Sequence, residues 1–320
     1  MQILFFCNPY KFTALTPQEN ILERISEKFK AIDQDPNTHL EGLVWSKPIT
    51  YWDYIHTDAL LNLQIQKTTL PDEMVFIIYH QINELLFKMI LWEIDQVALG
   101  TELTAPFFTQ KLDRISRYFD MLTSSFSIMQ DGMEREQYLK FRNTLTPASG
   151  FQSAQYRMIE FSSTHIINLI DHRFRETIDR NTPYEHAYNH LYWQAAGKDH
   201  TTGKKTTLIR LFEDRYKDEL IRSMERYNVN NLWSRYQELK EEEKTPELKK
   251  AMRDYDYTVN VKWVMSHYHA AEKYLETKGK TVEATGGSDW KKYMHPKYQR
   301  RIFFPGLWSE DELKNWGEGV

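Results

Sequence analysis

Apolar residues recur at steps of three and four along most of this chain, and the elements they predict are helices. Ile21, Leu22, Ile25, Phe29 and Ile32 keep helical spacing behind Thr16-Pro17-Gln18-Glu19, a capping box with proline at its first helical position, and Pro36 ends the pattern. Over 71–99, Asp72 and Glu73 open a helix that is apolar nearly all round, with Gly100 as its stop, which predicts a place at the centre of a bundle. Phe108, Leu112, Ile115, Phe119, Leu122, Phe126 and Met129 alternate steps of four and three, the seam of a helix packed at a shallow angle on its neighbours. Further helices are predicted over 152–178, 206–227 and 249–278, and no two-residue alternation bounded by hairpin turns occurs. The expected fold class is all-α, a large helical bundle.

Breaks in this pattern suggest the organisation. Residues 1–50 read as an N-terminal segment with one helix, and 51–320 as the main helical domain. Between 181 and 205 polar and turn-forming residues mix with aromatic ones, which suggests an excursion from the bundle able to act as a lid. Positions 238–250 are dense in charge around Pro246 and read as a solvated helix end and connection.

Composition narrows the function. With 41 Lys and Arg against 45 Asp and Glu the net charge is -4, and the basic residues do not cluster, which argues against a nucleic-acid partner. The single cysteine, Cys7, offers no intramolecular disulfide and no thiolate cluster, so a reducing cytosol is expected. The run Ile3–Phe6 is too short for a signal sequence, and the apolar run Met74–Tyr79 falls far short of the roughly 20 residues that span a bilayer. No membrane association is expected. Aromatic content of 14% suits either a well-packed helical core or a core wrapped round a large flat ligand.

No phosphate-binding loop, dinucleotide fingerprint or nucleophile elbow is present, which leaves histidine and arginine as the candidate chemistry. His186 and His190 lie one helical turn apart but lack a third metal ligand at an obvious spacing, so packing histidines are the simpler reading. His80 sits in the apolar helix on a stripe with Phe76, Glu84 and Phe87. There its ring needs a hydrogen-bond partner, which Glu84 could supply; a satisfied core histidine and a catalytic one both fit. Tyr138 and Arg142 share a helix face just before the turn Pro147-Ala148-Ser149-Gly150. An arginine so placed can clamp a carboxylate with its planar fork, or simply make a surface ion pair. His267 and His269 lie two positions apart on one helix, so their rings point about 200° apart. The face of His267 carries Trp263, Ala270, Ala271 and Tyr274, which lets a flat ligand approach. That of His269 carries Met265, Glu272, Lys273 and Glu276 and reads as solvated.

Three segments taken in order resemble the tryptophan 2,3-dioxygenase family. The first runs from Tyr51-Trp52-Asp53-Tyr54-Ile55 through Asp58-Ala59-Leu60-Leu61, Gln64 and Asp72-Glu73 to Phe76-Ile77-Ile78-Tyr79-His80-Gln81 with Glu84-Leu85. The second is Tyr138 and Phe141-Arg142 leading into Pro147-Ala148-Ser149-Gly150-Phe151-Gln152-Ser153. The third is Trp263, His267, Leu275 and Lys278, then Thr285-Gly286-Gly287-Ser288, Phe304-Pro305 and Leu307-Trp308. Leu86 stands where the family usually has Trp, Ala284 replaces a Gly, and about four extra residues separate Lys278 from Thr285.

The resemblance implies a haem-dependent dioxygenase domain over 51–320, with one haem b per subunit in a buried pocket. Its iron would be held by His267, with Ser149 also against the cofactor. It further implies that L-tryptophan is the substrate and O2 the oxidant, the indole C2–C3 bond being opened to N-formylkynurenine. Arg142 and Thr285 would bind the amino-acid head, Phe76 and Tyr138 would wall the indole slot, and His80 would accept the indole N–H without acting as an obligatory base. The family forms homotetramers in which Tyr51, Tyr54 and Ile55 serve a neighbouring subunit's pocket, although packing within the chain would also explain these side chains. Other indoles, tyrosine derivatives or non-catalytic haem binding remain alternative uses of the same scaffold.

Overall fold

The computed structural model describes residues 21–142, 153–198, 203–277, 280–281 and 294–318. Backbone contacts divide the chain into two units, Met1–Leu63 and Gln64–Val320. In the first, α1 (Ile21–Lys30) packs on α2 (Pro36–Trp45), and the rings of Phe29 and His39 stack at 4.1 Å between centroids. The periodicity predicts only the first of these helices. The second begins where Pro36 breaks the pattern, because Pro36 takes the first helical position while the Asp35 carboxylate accepts from the Asn37 amide. Two short helices follow, α3 (Tyr51–Ile55), capped by Thr50, and α4 (Thr57–Leu60).

The second unit is built on two 28-residue helices, α5 (Pro71–Ala98) and α6 (Ala105–Gly132), which lie along each other. The remaining elements are α7 (Arg135–Phe141), α8 (Ala154–Ser163), α9 (Tyr184–Tyr188), α10 (Thr207–Tyr227), α11 (Leu232–Glu238), α12 (Pro246–Tyr257), α13 (Trp263–Leu275), α14 (Pro296–Gln299) and α15 (Glu310–Lys314). α8 packs on α5 and α10, while α12 and α13 pack on α6. Among the described residues the strands amount to one small antiparallel pair, Glu276–Thr277 with Lys280–Thr281, so the fold class is all-α as expected.

Several expectations are corrected. The helix predicted over 152–178 ends at Ser163, followed by 3-10 turns at Ile166–Leu169 and His172–Phe174. Ser162 and Ser163 turn their hydroxyls back onto the Ile159 carbonyl, and extended Thr164 bonds its hydroxyl to the Phe303 carbonyl at 2.5 Å. These side chains compete with helix continuation. The helix predicted over 249–278 is interrupted by a π-helical turn at Thr258–Lys262. The excursion at 181–205 is no lid over its described part. Tyr188, Leu191 and Trp193 are buried, and a Cβ on Gly197 would lie 2.4 Å from Ile209 Cδ1 of α10.

α5 is only partly the central helix its composition predicts. Its inner face buries Leu86, Phe87, Ile90, Ile94 and Val97, but Ile78, Ile82, Leu85, Met89 and Trp92 form an exposed apolar stripe at steps of four and three. By length and composition alone α5 could cross a bilayer. Its buried Glu93, paired with Lys111 at 2.7 Å and Arg114 at 3.0 Å on α6, instead marks it as a helix of a protein core.

Candidate active site

Besides the main core, a smaller apolar cluster gathers Tyr79 of α5, Phe126 and Met129 of α6, Met133, and Ala270 and Tyr274 of α13, with Val75, Phe76, Tyr138 and Trp263 packed against it. His80 borders this cluster on α5. Its Nδ1 lies 2.8 Å from the Phe76 carbonyl, an oxygen that can only accept, so Nδ1 carries the proton and Nε2 is left with a lone pair. Burial lowers the His80 pKa, against the opposing pull of that bond, so the ring is neutral near pH 7. The ring stays exposed at the border of the cluster, with Phe76 and Tyr79 against it. Glu84 does not pair with it. That carboxylate accepts from Gln155 Nε2 of α8 at 2.8 Å, so the local partner expected from the spacing is replaced by a backbone carbonyl one turn earlier.

Phe76 lies against His80 at 3.9 Å between ring centroids, and its other neighbours are Tyr138 at 6.2 Å and Phe141 at 5.6 Å on α7. α7 is held in place by polar ties. The Asp72 carboxylate accepts from the Glu134 amide at 2.7 Å, Gln137 accepts from the Asp72 amide at 3.2 Å, and Arg135 donates to the Tyr274 carbonyl at 3.1 Å. The Tyr274 hydroxyl in turn donates to the carbonyls of Met129 and Met133 and closes the end of α6 onto α13. Arg142 caps α7 and is 7% exposed, which removes the surface ion-pair reading; its guanidinium lies 5.9 Å from the Tyr138 ring centroid. A buried arginine at the edge of an aromatic cluster retains a charge that favours an anion.

On α13, the ring of His267 is stacked with Phe126 at 5.4 Å and 13°, and Trp263 one turn earlier lies 6.0 Å away. Burial, and then the closeness of His80, pull the His267 pKa down to about 4, so two neutral imidazoles from α5 and α13 serve one recess. Trp263 Nε1 is buried without a hydrogen-bond partner among the described residues. His269 points elsewhere, half exposed, with Glu272 at 3.6 Å. Its face is less solvated than expected, because Met265 is buried where the first turn of α13 leaves the core.

The structure thus brings Phe76, His80, Tyr138, Arg142 and His267 together. Tyr51, Tyr54 and Ile55 belong to the N-terminal unit and are exposed there. Ser149 and Thr285 lie outside the described residues. His186 and His190 sit 4.7 Å apart, and among the described residues no group of three ligating side chains suited to a metal includes them. Tyr79, Phe126 and Phe141 are wall residues that sequence reasoning does not single out, whereas Tyr274 lies on the His267 face that it does. Phe126 carried a legible signal, an aromatic on the helical seam, but that signal is shared by every core position of the seam.

The family model of tryptophan 2,3-dioxygenase matches residues 39–309. A tryptophan 2,3-dioxygenase of Ruegeria sp. is 44% identical over 115 residues, 35% of this chain and 40% of the relative. That of Ruegeria pomeroyi is 35% identical over 147 residues, 43% of this chain and 52% of the relative. That of Bacillus thuringiensis subsp. konkukian is 28% identical over 277 residues, 82% of this chain and 91% of the relative. The matches to the two Ruegeria proteins therefore span only about half of those relatives or less, whereas the Bacillus match runs nearly end to end. With a match from residue 39 to residue 309, and with the paired histidines, the arginine and the aromatic walls assembled around one recess, this chain belongs to the tryptophan 2,3-dioxygenase family.

Proposed function

We propose that the protein is a haem-dependent dioxygenase that opens the indole C2–C3 bond of L-tryptophan with O2 to give N-formylkynurenine. The observation that carries this reading is the geometry of His80. Its Nδ1–H is spent on the Phe76 carbonyl, and the free Nε2 lone pair can accept an indole N–H beside the aromatic wall of Phe76 and Tyr138. Arg142, buried next to Tyr138, would take the carboxylate of the amino-acid head in bidentate fashion. The presence of that arginine favours an amino acid over indoles or phenols without such a head. Ser149 and Thr285 are assigned to the cofactor and to the substrate head through the family motif alone.

The residues present fit a haem. His267 is a neutral imidazole, the form that ligates iron, on a face whose neighbours Ala270 and Ala271 are small, and the unpartnered Trp263 N–H lies one turn away for an added acceptor. His267 would hold the iron. When bound, the haem would supply O2 activation at its free coordination position. The protein's own part is to bind and orient the indole, to neutralise the carboxylate, to keep water from the aromatic recess, and to hold the N–H proton at His80 Nε2 rather than remove it.

A homotetramer is proposed with it. The exposed stripe Ile78, Ile82, Leu85, Met89 and Trp92 is the kind of seam that another subunit covers, and Tyr51 and Tyr54, exposed on α3, would complete a neighbour's pocket together with Ile55. The expected location is the cytosol. The test is to reduce the purified, haem-loaded protein under air with tryptophan and follow the absorbance of N-formylkynurenine. A Soret band without any product would reduce the protein to a haem binder and overturn the proposal.

A further inference from the structure

Outside the aromatic recess the described residues hold one close pair of imidazoles that the proposed reaction does not use, His186 and His190. His186 lies in α9, and His190 stands in the turn that continues it, where its amide donates to the Ala187 carbonyl at 2.9 Å. Four positions of helical winding put the two side chains on one face. Their ring centroids are 4.7 Å apart, with the planes inclined by 43°.

The ring of His190 is fixed at both ends. Its Nδ1 lies 2.8 Å from the His186 carbonyl, an oxygen that can only accept, so Nδ1 carries the proton and Nε2 keeps its lone pair. Phe174 lies edge-on to the same ring at 4.6 Å. A histidine that ligates a metal almost always spends its other ring N–H on such a carbonyl, which sets both its tautomer and its direction. His186 is exposed, so its ring nitrogens face solvent. The backbone between the two is held as well, since Ala187 and Tyr188 are buried, the His190 carbonyl accepts from the Asp171 amide at 2.9 Å, and Leu191 pairs with Ile170. Little freedom is left to lose when a ligand bridges the rings.

We propose that His186 and His190 together chelate one divalent transition-metal ion that favours right-angled coordination, Ni(II) or Cu(II), with water completing its shell. A metal about 2 Å from one nitrogen of each ring would lie about 3.2 Å from each ring centre, so centres about 4.5 Å apart correspond to a right angle at the metal and about 5.2 Å to a tetrahedral one. The observed 4.7 Å stands nearer the right angle. Two imidazoles with water oxygens form a mixed nitrogen and oxygen set, which suits tetragonal ions, whereas zinc at a structural site calls for four ligands of its own. The site is independent of the haem reading, because neither histidine lies in the aromatic recess.

The experiment is calorimetric titration of nickel chloride into the haem-loaded full chain in a buffer that does not bind metals. One equivalent should bind saturably, and zinc should bind more weakly. His186→Gln and His190→Gln should each weaken nickel binding about a hundredfold or more, since loss of a group outside the ligand set already costs about 10–100-fold. His172→Gln, a change at the exposed histidine beside Asp171, should leave the affinity as it is, and tryptophan turnover should be unaltered in all three variants. Circular dichroism like that of the parent confirms that each variant is folded. Nickel affinity that survives either change in the pair, or that falls equally with His172→Gln, would overturn the chelate. Tighter binding of zinc than of nickel, or no saturable binding to the parent protein, would do the same.

Discussion

Two of the polar regions buried among the described residues are built on opposite principles. Behind α8, Glu160 is paired with Arg301 at 2.7 Å and Arg157 at 3.1 Å, and Arg301 also donates to Tyr156 at 2.7 Å and to Asn260. Asn260 passes the contact to Asp256, whose carboxylate accepts from the amides of Phe303 and Phe304 at 2.9 and 3.0 Å and from Trp308 Nε1 at 3.0 Å. Two guanidinium groups and two carboxylates thus compensate one another, and they tie the C-terminal segment to α8 and α12. Around His80 and His267 the make-up is different. The titratable walls are neutral imidazoles, a buried arginine stands at the edge, and among the described residues the Trp263 N–H finds no acceptor. A polar interior of mutually paired charges, even one in which Arg157 Nε and Glu160 Oε2 find no hydrogen bond among the described residues, serves stability or specificity, whereas one lined by neutral imidazoles is suited to an outside ligand.

The sharpest way to break that contrast is at His267. His267→Ala should yield folded protein with little or no bound haem, partly rescued by imidazole, while His269→Ala keeps a normal ferrous spectrum; a haem-free His269 variant beside an intact His267 variant would reverse the ligand assignment. On the other side, Glu160→Ala leaves two buried guanidinium groups without their carboxylate and should cost about 3–5 kcal/mol in denaturant unfolding of the apoprotein. A loss under about 1 kcal/mol would mean that water already reaches the cluster and that the two regions are not distinct in kind. Arg142→Lys should fold normally but lose about ten- to a hundredfold in kcat/KM for tryptophan, because an ammonium cannot reproduce the planar fork. Kinetics near those of the parent would sink the clamp. The smallest effect is expected at His80→Leu, which should keep haem and lower turnover only moderately, with 1-methyltryptophan discriminating poorly between variant and parent. If that change strips the haem instead, His80 is the axial ligand.

Legibility in the sequence followed the same division. The helices α5, α6 and α10 could be read because their apolar positions repeat within a few turns, and the face argument separated His267 from His269. The Glu160 cluster could not, since its partners are 141 residues apart in the chain and each alone looks like a surface charge. Spacing offers Glu84 as a possible partner for His80 because it shows which side chains share a face, whereas the acceptor found is a carbonyl, which every residue carries. The end of α8 escaped for a related reason. Hydroxyls that fold back on the backbone leave the apolar pattern of the following residues intact, so periodicity runs on past the true end. The motif residues on 143–152 and 282–293 lie outside the described residues, and their roles rest on the family pattern.

The π-helical turn at Thr258–Lys262 carries a further consequence, one of phase. Asp256 and His267 are eleven residues apart, a spacing that an unbroken α-helix would bring to within about 20° of the same direction. Widening one turn delays the following residues by roughly 80–90°, the equivalent of about one inserted residue. Asp256 can then address the amides of the C-terminal segment while His267 addresses the recess lined by α5 and α6, a pair of duties that a uniform helix would crowd onto one side. A single-residue deletion within 258–262 therefore acts as a change of timing rather than of composition. It either heals the turn into regular helix with both addresses kept, or swings one of the two side chains off its target while every residue in contact with the ligand is still present.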